Sequence, residues 1–287
     1  MMGGTERGRT LACTVCPHAC RLGDGQVGRC RSRGSTDGMV LPVSYGRITS
    51  FALDPVEKKP LARWNPGKYL LSVGTFGCNL SCPFCQNHTI SQVGQDEVIH
   101  QFIPPGALVE LTLNAREQEP RVVGIAHTYN EPLVSWEYVS ETGVLARRVG
   151  LANVIVSNGC VNGWVVDRVA PLVDAANIDL KGFTEEYYRW CGGDLSTVRA
   201  CIERLAAEPG CHLEVTTLVV SGHNDTPAEM DALSAWLASV DPDITLHVTR
   251  CFPRWKMGGG RPTPVQTVLD LADVARNNLE HVFVGNV

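Results

Sequence analysis

Gly74-Thr75-Phe76-Gly77-Cys78-Asn79-Leu80-Ser81-Cys82-Pro83-Phe84-Cys85-Gln86-Asn87 is the stretch on which the reading of this chain turns. It follows a short apolar run, Tyr69–Val73, and carries three cysteines spaced x3 and then x2. Three thiols on one loop directly after a strand form a metal-ligand pattern rather than a core pattern. Outward from it, in the C-terminal direction, apolar runs recur at Val122–Ala126, Asn153–Val156, Ala175–Leu180, Leu213–Val220, Ile244–Val248 and His281–Val284. Amphipathic segments near 105–117, 132–149, 163–172, 195–207, 227–240 and 264–279 lie between them. Pro105 and Pro227 suit a first helical turn, and Ser196 or Asp194 suits a cap. Strand–helix repetition predicts a parallel sheet with helices outside. About six repeats fall short of an eight-fold barrel, so the expected fold is α/β, a partial (β/α)6 TIM-type barrel. In such folds the chemistry collects at the C-terminal strand ends. Those ends are 74–85, 127–132, 157–160, 179–183, 221–225 and 249–256, and they hold most of the unusual polar residues.

In the N-terminal direction the texture changes. Residues 39–66 carry short β-like runs, Met39–Tyr45 and Ile48–Leu53, and end in the turn-like Asn65-Pro66-Gly67. Residues 11 to 35 are rich in Cys, Gly and Arg and show no period. Cys13-x2-Cys16-x3-Cys20-x9-Cys30 offers four thiolates with His18 as a spare donor, suited to zinc or to a second iron–sulfur cluster. A short, poorly apolar stretch of this kind takes its fold from its metal. The expected division is therefore a Cys-rich metal-binding extension with short β segments over 1–66 and the barrel over 67–287.

The bulk properties predict a soluble, cytoplasmic protein. The 287 residues are 44% hydrophobic, enough for one large core, and the net charge is −5 with no run of Lys or Arg that would mark nucleic-acid binding. Met1–Thr10 is polar and lacks the apolar stretch of a leader, and no window approaches the roughly 18 apolar residues of a membrane span. In a reducing compartment, clustered cysteines point to metal rather than to disulfides.

A cubane cluster has four irons, so Cys78, Cys82 and Cys85 leave one iron without a protein ligand. The amino and carboxylate groups of methionine suit that open position. An electron delivered into a sulfonium there breaks a C–S bond, and the hard chemistry belongs to the cofactor. The competing reading is zinc, which normally takes four ligands, commonly as two short pairs. Only His88 lies near enough to be a fourth.

Cys78-x3-Cys82-x2-Cys85, with Phe84 just before the last cysteine, looks like the signature of the radical S-adenosylmethionine (radical SAM) superfamily. The chain as a whole resembles the radical SAM protein of the AmmeMemoRadiSam system, a branch close to pyruvate formate-lyase activating enzymes. The matching stretches are Cys13 through Cys30, Asp54-Pro55-Val56-Glu57-Lys58-Lys59-Pro60-Leu61, the triad, Thr128-Tyr129-Asn130-Glu131-Pro132, Asn177-Ile178-Asp179-Leu180-Lys181-Gly182-Phe183 and Gly285-Asn286-Val287. Members usually continue past this last motif into a Cys-x2-Cys-type pair.

The resemblance implies a [4Fe–4S] cluster and SAM as cofactors, with a second metal at the N-terminal cysteines. Phe84 then belongs to the cofactor pocket. Asn130-Glu131-Pro132 resembles the family's Gly-Gly-Glu-Pro loop, with Tyr129-Asn130 in place of the glycines. A carboxylate at Glu131 suits the methionine ammonium, the favoured role, and it can at the same time cap a helix starting at Pro132. Asn158 is placed to contact the ribose or carboxylate, or to form an Asn-Gly turn. Asp179 and Lys181 either orient SAM or substrate or pair with each other at the rim. Arg250 is a candidate for a SAM carboxylate or an acidic substrate, while His247 reads as a core histidine. Gly258-Gly259-Gly260 reads as a flexible loop and a candidate lid.

Function follows as a radical oxidoreductase that abstracts hydrogen from an unidentified substrate. The alternatives are a glycyl-radical-enzyme activase and a non-catalytic metal-binding scaffold or sensor. Expected partners are SAM, an electron donor such as flavodoxin or ferredoxin, and a protein substrate or AmmeMemoRadiSam partner proteins.

Overall fold

A computed structural model describes residues 10–287. The expectation of a polar start without a leader falls almost entirely on residues outside that range. The main sheet has eight strands: β1 (Ser50–Pro55), β2 (Tyr69–Gly74), β3 (Val122–His127), β4 (Ala152–Ser157), β5 (Ala175–Asp179), β6 (His212–Val219), β7 (Thr245–Arg250) and β8 (Val282–Gly285). Their order across the sheet is β8-β7-β6-β5-β4-β3-β2-β1. Strands β2 to β8 run parallel, and β1 lies antiparallel to β2 in the register Ser50↔Gly74. Six strand–helix units followed by a closing strand give the open, partial α/β barrel expected. A boundary at residue 66 falls between two paired strands, because Ser50–Pro55 joins the barrel sheet.

The intervening helices are α1 (Pro105–Gln118), α2 (Trp136–Arg148), α3 (Gly163–Val169), α4 (Glu185–Cys191), α5 (Leu195–Ala206), α6 (Pro227–Val240) and α7 (Val265–Ala275). Pro105 and Pro227 do occupy first turns. Asp194, not Ser196, caps α5: its Oδ1 accepts from Thr197 N at 2.7 Å, a contact worth about 1 kcal/mol. Helix α4 has no counterpart among the expected helices. It is only seven residues long, too short for a helical period to show against its surroundings.

Alternate residues of each strand face inward. At the bottom, Leu70, Ala126, Val154 and Ala175 form an apolar layer closed from below by Val56 and Leu61. Above them the interior turns polar. Glu214, fully buried, accepts from Ala62 N at 2.9 Å and Arg63 N at 2.8 Å and hydrogen-bonds His212 (2.9 Å) and His247 (2.6 Å). His247 is thus a satisfied core histidine, as expected, and the segment after β1 is tied to the barrel floor. The larger apolar core lies between the sheet and the outer helices and includes Ile155, Ile178, Val215, Leu246, Val198, Ile202, Leu233 and Leu271.

Candidate active site

The cysteine loop leaves β2 at Gly74 and bends over the C-terminal mouth of the barrel. Cys82 and Phe84 are buried, and Cys78 and Cys85 half-buried. All three thiols line one cavity of about 320 Å³, together with Phe84, Glu131, Asn158, Asp179 and Lys181.

Backbone geometry fixes this loop. Gly77 has φ +81°, and a Cβ there would stand 2.2 Å from Cys30 O and 2.4 Å from Ser32 Oγ. Only glycine allows the extension and the triad loop to approach this closely. Asn130 holds the other side: its Oδ1 accepts from Thr75 N at 3.0 Å, and its Nδ2 donates to Thr75 Oγ1 (2.9 Å), Phe76 O (3.2 Å) and Gly77 O (3.1 Å). His18 hydrogen-bonds Asn79 O at 2.9 Å, and Cys191 O accepts from Ser81 N at 2.8 Å.

Polar groups are aimed at the sulfurs. Leu80 N donates to Cys78 Sγ at 3.3 Å and Asn158 Nδ2 at 3.4 Å, while Ser91 Oγ lies 3.3 Å from Cys85 Sγ. Hydrogen bonds to sulfur are a principal means by which proteins tune iron–sulfur clusters. Burial, and then the nearby Glu131 carboxylate, push the free Cys78 thiol well above its usual range. The neighbouring Cys191 thiol holds Cys82 low, and the Lys181 ammonium acts in the same direction. Three thiols facing a single cavity, with donors already directed at them and polar residues beyond, fit a cluster that keeps one iron for a ligand.

Glu131 fills the capping role and also faces the cavity. Its carboxylate accepts from Leu133 N (2.8 Å), which caps the turn at Pro132, and from Ser157 Oγ (2.7 Å) and Asn158 N (2.7 Å). It also lines the cavity at only 1% exposure. Burial raises its carboxyl to about 7, against those three hydrogen bonds. A carboxylate offers about four acceptor positions, so one remains for a ligand. Asn158 likewise lines the cavity while its Oδ1 accepts from Cys160 N at 2.8 Å.

Asp179 and Lys181, which also line the cavity, pair at 2.7 Å. Burial alone would lower Lys181, but the Asp179 carboxylate outweighs it and keeps the ammonium charged. Arg250 is not brought to the cavity. Alternation along β7 sends Thr249 inward and Arg250 outward, where its Nε donates to Thr263 O at 2.6 Å and its guanidinium lies 4.9 Å from the Phe252 ring.

Several lining residues carried no expectation. Thr216 and Asn286 line the cavity, and Thr216 Oγ1 donates to Asn177 Oδ1 at 2.9 Å. Period-two alternation through Glu214, Thr216 and Leu218 is the signal that marks this face. Asp54, Lys59 and Tyr129 form a second unassigned group. Lys59 Nζ and Tyr129 Oη donate to Asp54 Oδ2 at 2.7 and 2.6 Å, and Lys59 Nζ sits 4.8 Å from the Tyr129 ring centre. Tyr129 has φ +72°, a left-handed conformation that costs an aromatic residue about 1 kcal/mol or more.

In the extension, Cys13, Cys16 and Cys30 are buried and Cys20 half-buried. Burial pushes Cys16 up to about 11, and the other three thiols add to the rise. Among the described residues no group of three or more His, Cys, Asp or Glu side chains is drawn up around a single ion position. No helix among them is long and apolar enough to cross a membrane.

A family model described as the radical SAM superfamily matches residues 72–237. A curated, uncharacterised protein of Methanocaldococcus jannaschii is 35% identical over 284 residues, covering 96% of this chain and 81% of that one. Among solved structures, a radical SAM methyltransferase from Sphaerobacter thermophilus gives a TM-score of 0.60 at 16% identity, over 76% of this chain and 66% of that one. SuiB from Streptococcus suis bound to S-adenosylmethionine gives 0.57 at 10%, over 73% and 48%. QueE from Escherichia coli gives 0.52 at 13%, over 83% and 92%. At these identities the likeness to the solved structures is one of fold.

Proposed function

This chain belongs to the radical SAM superfamily, and from that premise we propose that it cleaves SAM reductively and uses the resulting radical to abstract hydrogen from a substrate. One observation carries the reading. The three thiols of the superfamily signature open onto a cavity that also holds a buried carboxylate, Glu131, and the polar side chain of Asn158. When bound, a [4Fe–4S] cluster on Cys78, Cys82 and Cys85 supplies the electron that splits SAM into methionine and a 5′-deoxyadenosyl radical.

The chain's own residues bind and orient. Glu131 takes the methionine ammonium at its remaining acceptor position, and its three internal hydrogen bonds fix the direction of that contact. Asn158 spans the methionine end of the site and Cys78. Phe84, packed 5.7 Å from Trp190 and 6.4 Å from Tyr187 between ring centres, walls the cavity and excludes water from a reactive intermediate. Asp179 and Lys181 present a fixed charge pair to the cavity, positioned to orient the nucleoside or the substrate. The Cys13–Cys30 set holds a second metal, zinc or iron–sulfur, whose part is to fold the extension against Gly77.

The decisive measurement is on anaerobically purified, reconstituted protein given dithionite and SAM. Bound iron together with 5′-deoxyadenosine supports the proposal, whereas a zinc-only protein that forms none refutes it. Glu131→Gln removes the charge and, with its oxygen facing Leu133 N and Ser157 Oγ, also gives up the bond from Asn158 N. It is expected to weaken SAM binding about 10- to 100-fold, the equivalent of one charge-assisted hydrogen bond, at unchanged iron content. Equilibrium binding of labelled SAM reads the effect, and unaltered affinity would remove Glu131 from the site.

A further inference from the structure

The loop after β7 has a composition unlike the rest of the chain. From Arg250 to Arg261 it carries four cations, Arg250, Arg254, Lys256 and Arg261, and no carboxylate, in a protein of net charge −5. Arg254, Lys256 and Arg261 are exposed or half-exposed, and none has an ion-pair partner among the described residues. Phe252 is 36% exposed beside them, and Lys256 Nζ stands 4.2 Å from the ring centre of Trp255. The loop is attached to the cysteine triad. Met257 N donates to Pro83 O at 3.3 Å, and Trp255 stacks on His88 at 6.1 Å between ring centres and 15° between planes. Next to that stack Gln86 and Asn87 reach the surface and Cys85 is half-buried.

None of the residues from Arg250 to Arg261 lines the cavity, whereas Thr249 before them and Gln86 and Asn87 beside them do, so these cations stand at its rim, against the cysteine loop, rather than inside it. They lie against the bend that carries Cys82 and Cys85, held there by the Met257–Pro83 hydrogen bond and the Trp255–His88 stack. What must approach there, without entering the cavity, is the source of the electron. We propose that this basic, aromatic strap docks an acidic one-electron carrier protein against the Pro83–His88 side of the triad loop. The step moves one electron from the reduced carrier to the oxidised cluster. The carrier is oxidised by one, the cluster is reduced by one, and no bond or proton changes place. Clustered like charge on a small exposed face raises the encounter rate with an oppositely charged partner and is screened by salt. The aromatic pair supplies the apolar contact at the centre of the patch.

The inference rests on the proposed SAM cleavage, and dithionite separates the two. In the reconstituted holoenzyme, 5′-deoxyadenosine formation is measured with dithionite, with reduced flavodoxin and with reduced ferredoxin, at low and high salt. The triple variant Arg254→Glu/Lys256→Glu/Arg261→Glu is expected to slow the carrier-driven rate about tenfold or more at low salt. The difference should narrow as salt is added, and the dithionite rate should be unchanged. The neutral variant Arg254→Gln/Lys256→Gln/Arg261→Gln should fall between. An unchanged carrier-driven rate overturns docking at the strap. So does an equal loss with dithionite, which would make the loop part of the SAM site, and so does a native enzyme that works with dithionite but with neither carrier. A native enzyme inactive even with dithionite defeats the proposed function itself.

Discussion

Cys82→Ala is expected to give a folded protein that retains no four-iron cluster and makes no 5′-deoxyadenosine. Cys82 is 7% exposed and belongs to the main apolar core. Loss of one sulfur atom there leaves a void smaller than a Leu→Ala void, so the cost is on the order of 1 kcal/mol. In a chain of this size that lowers Tm by a few degrees. The chemical loss is of a different order, because two thiolates leave two irons without protein ligands and the cluster has no stable seat. Cys191 makes the experiment sharper. Its thiol neighbours Cys82, and that neighbour and burial push it up. If Cys191 were a spare ligand, Cys82→Ala would keep part of its iron and Cys82→Ala/Cys191→Ala would lose it. If it only supports Cys82, Cys191→Ala alone keeps full iron and SAM cleavage. Iron per chain, the visible absorbance of the reconstituted protein and product formation distinguish these cases. Full iron and activity in Cys82→Ala would remove the triad from the mechanism.

The legible parts of this protein are those in which local pattern and tertiary position coincide. The parallel strands carry continuous apolar runs because both faces are covered, and those runs stand out in the sequence. The cysteine loop reads as a ligand loop because its three thiols follow neither the helical nor the strand period, so no single packed face would use them together. Arg250 is misplaced by sequence for a simple reason: nearness to a strand end says nothing about side, and alternation gives the inward face to His247 and Thr249. The place of Ser50–Pro55 in the barrel sheet is not legible because the segment is short and half exposed. Nothing local in it distinguishes the edge of a barrel from a loose hairpin. Asp54-Pro55-Val56-Glu57-Lys58-Lys59-Pro60-Leu61 is legible only as a resemblance. Its purpose depends on Tyr129, 75 residues from Asp54, and no period or spacing connects them.

That purpose yields the second large effect. Asp54→Ala is expected to destabilise the fold by about 3–5 kcal/mol, the usual result of removing one partner from a buried ion pair. Lys59 is 3% exposed, and its ammonium would lose its carboxylate without gaining water. Lys58, largely exposed, would lose little. Lys59→Met fills the same space without charge and leaves Asp54 with Tyr129 and Lys58, so it should cost less. The double variant should be more stable than the sum of the single losses, because no charge is stranded. Acid should act on the same group. Burial alone would raise Asp54, but the Lys59 and Tyr129 hydrogen bonds outweigh it and hold its carboxyl well below the usual carboxylate range. A depressed folded-state value means stability that is present above the ordinary carboxylate pKa and lost as pH falls toward the folded one. The native protein should therefore lose stability below about pH 4 more steeply than Asp54→Asn. The consequence for the site runs through Tyr129, whose left-handed backbone precedes Asn130 and Glu131. Tyr129→Phe removes only the bond to Asp54. If that bond holds the strained turn, the variant should bind its iron normally yet require more SAM for half-maximal cleavage, with little change at saturation. Tyr129→Gly, free of the backbone strain, should recover part of that loss. Equal SAM dependence in Tyr129→Phe and the native enzyme would reduce the Asp54–Lys59–Tyr129 cluster to a support of the fold, with no hold on the loop that carries Glu131.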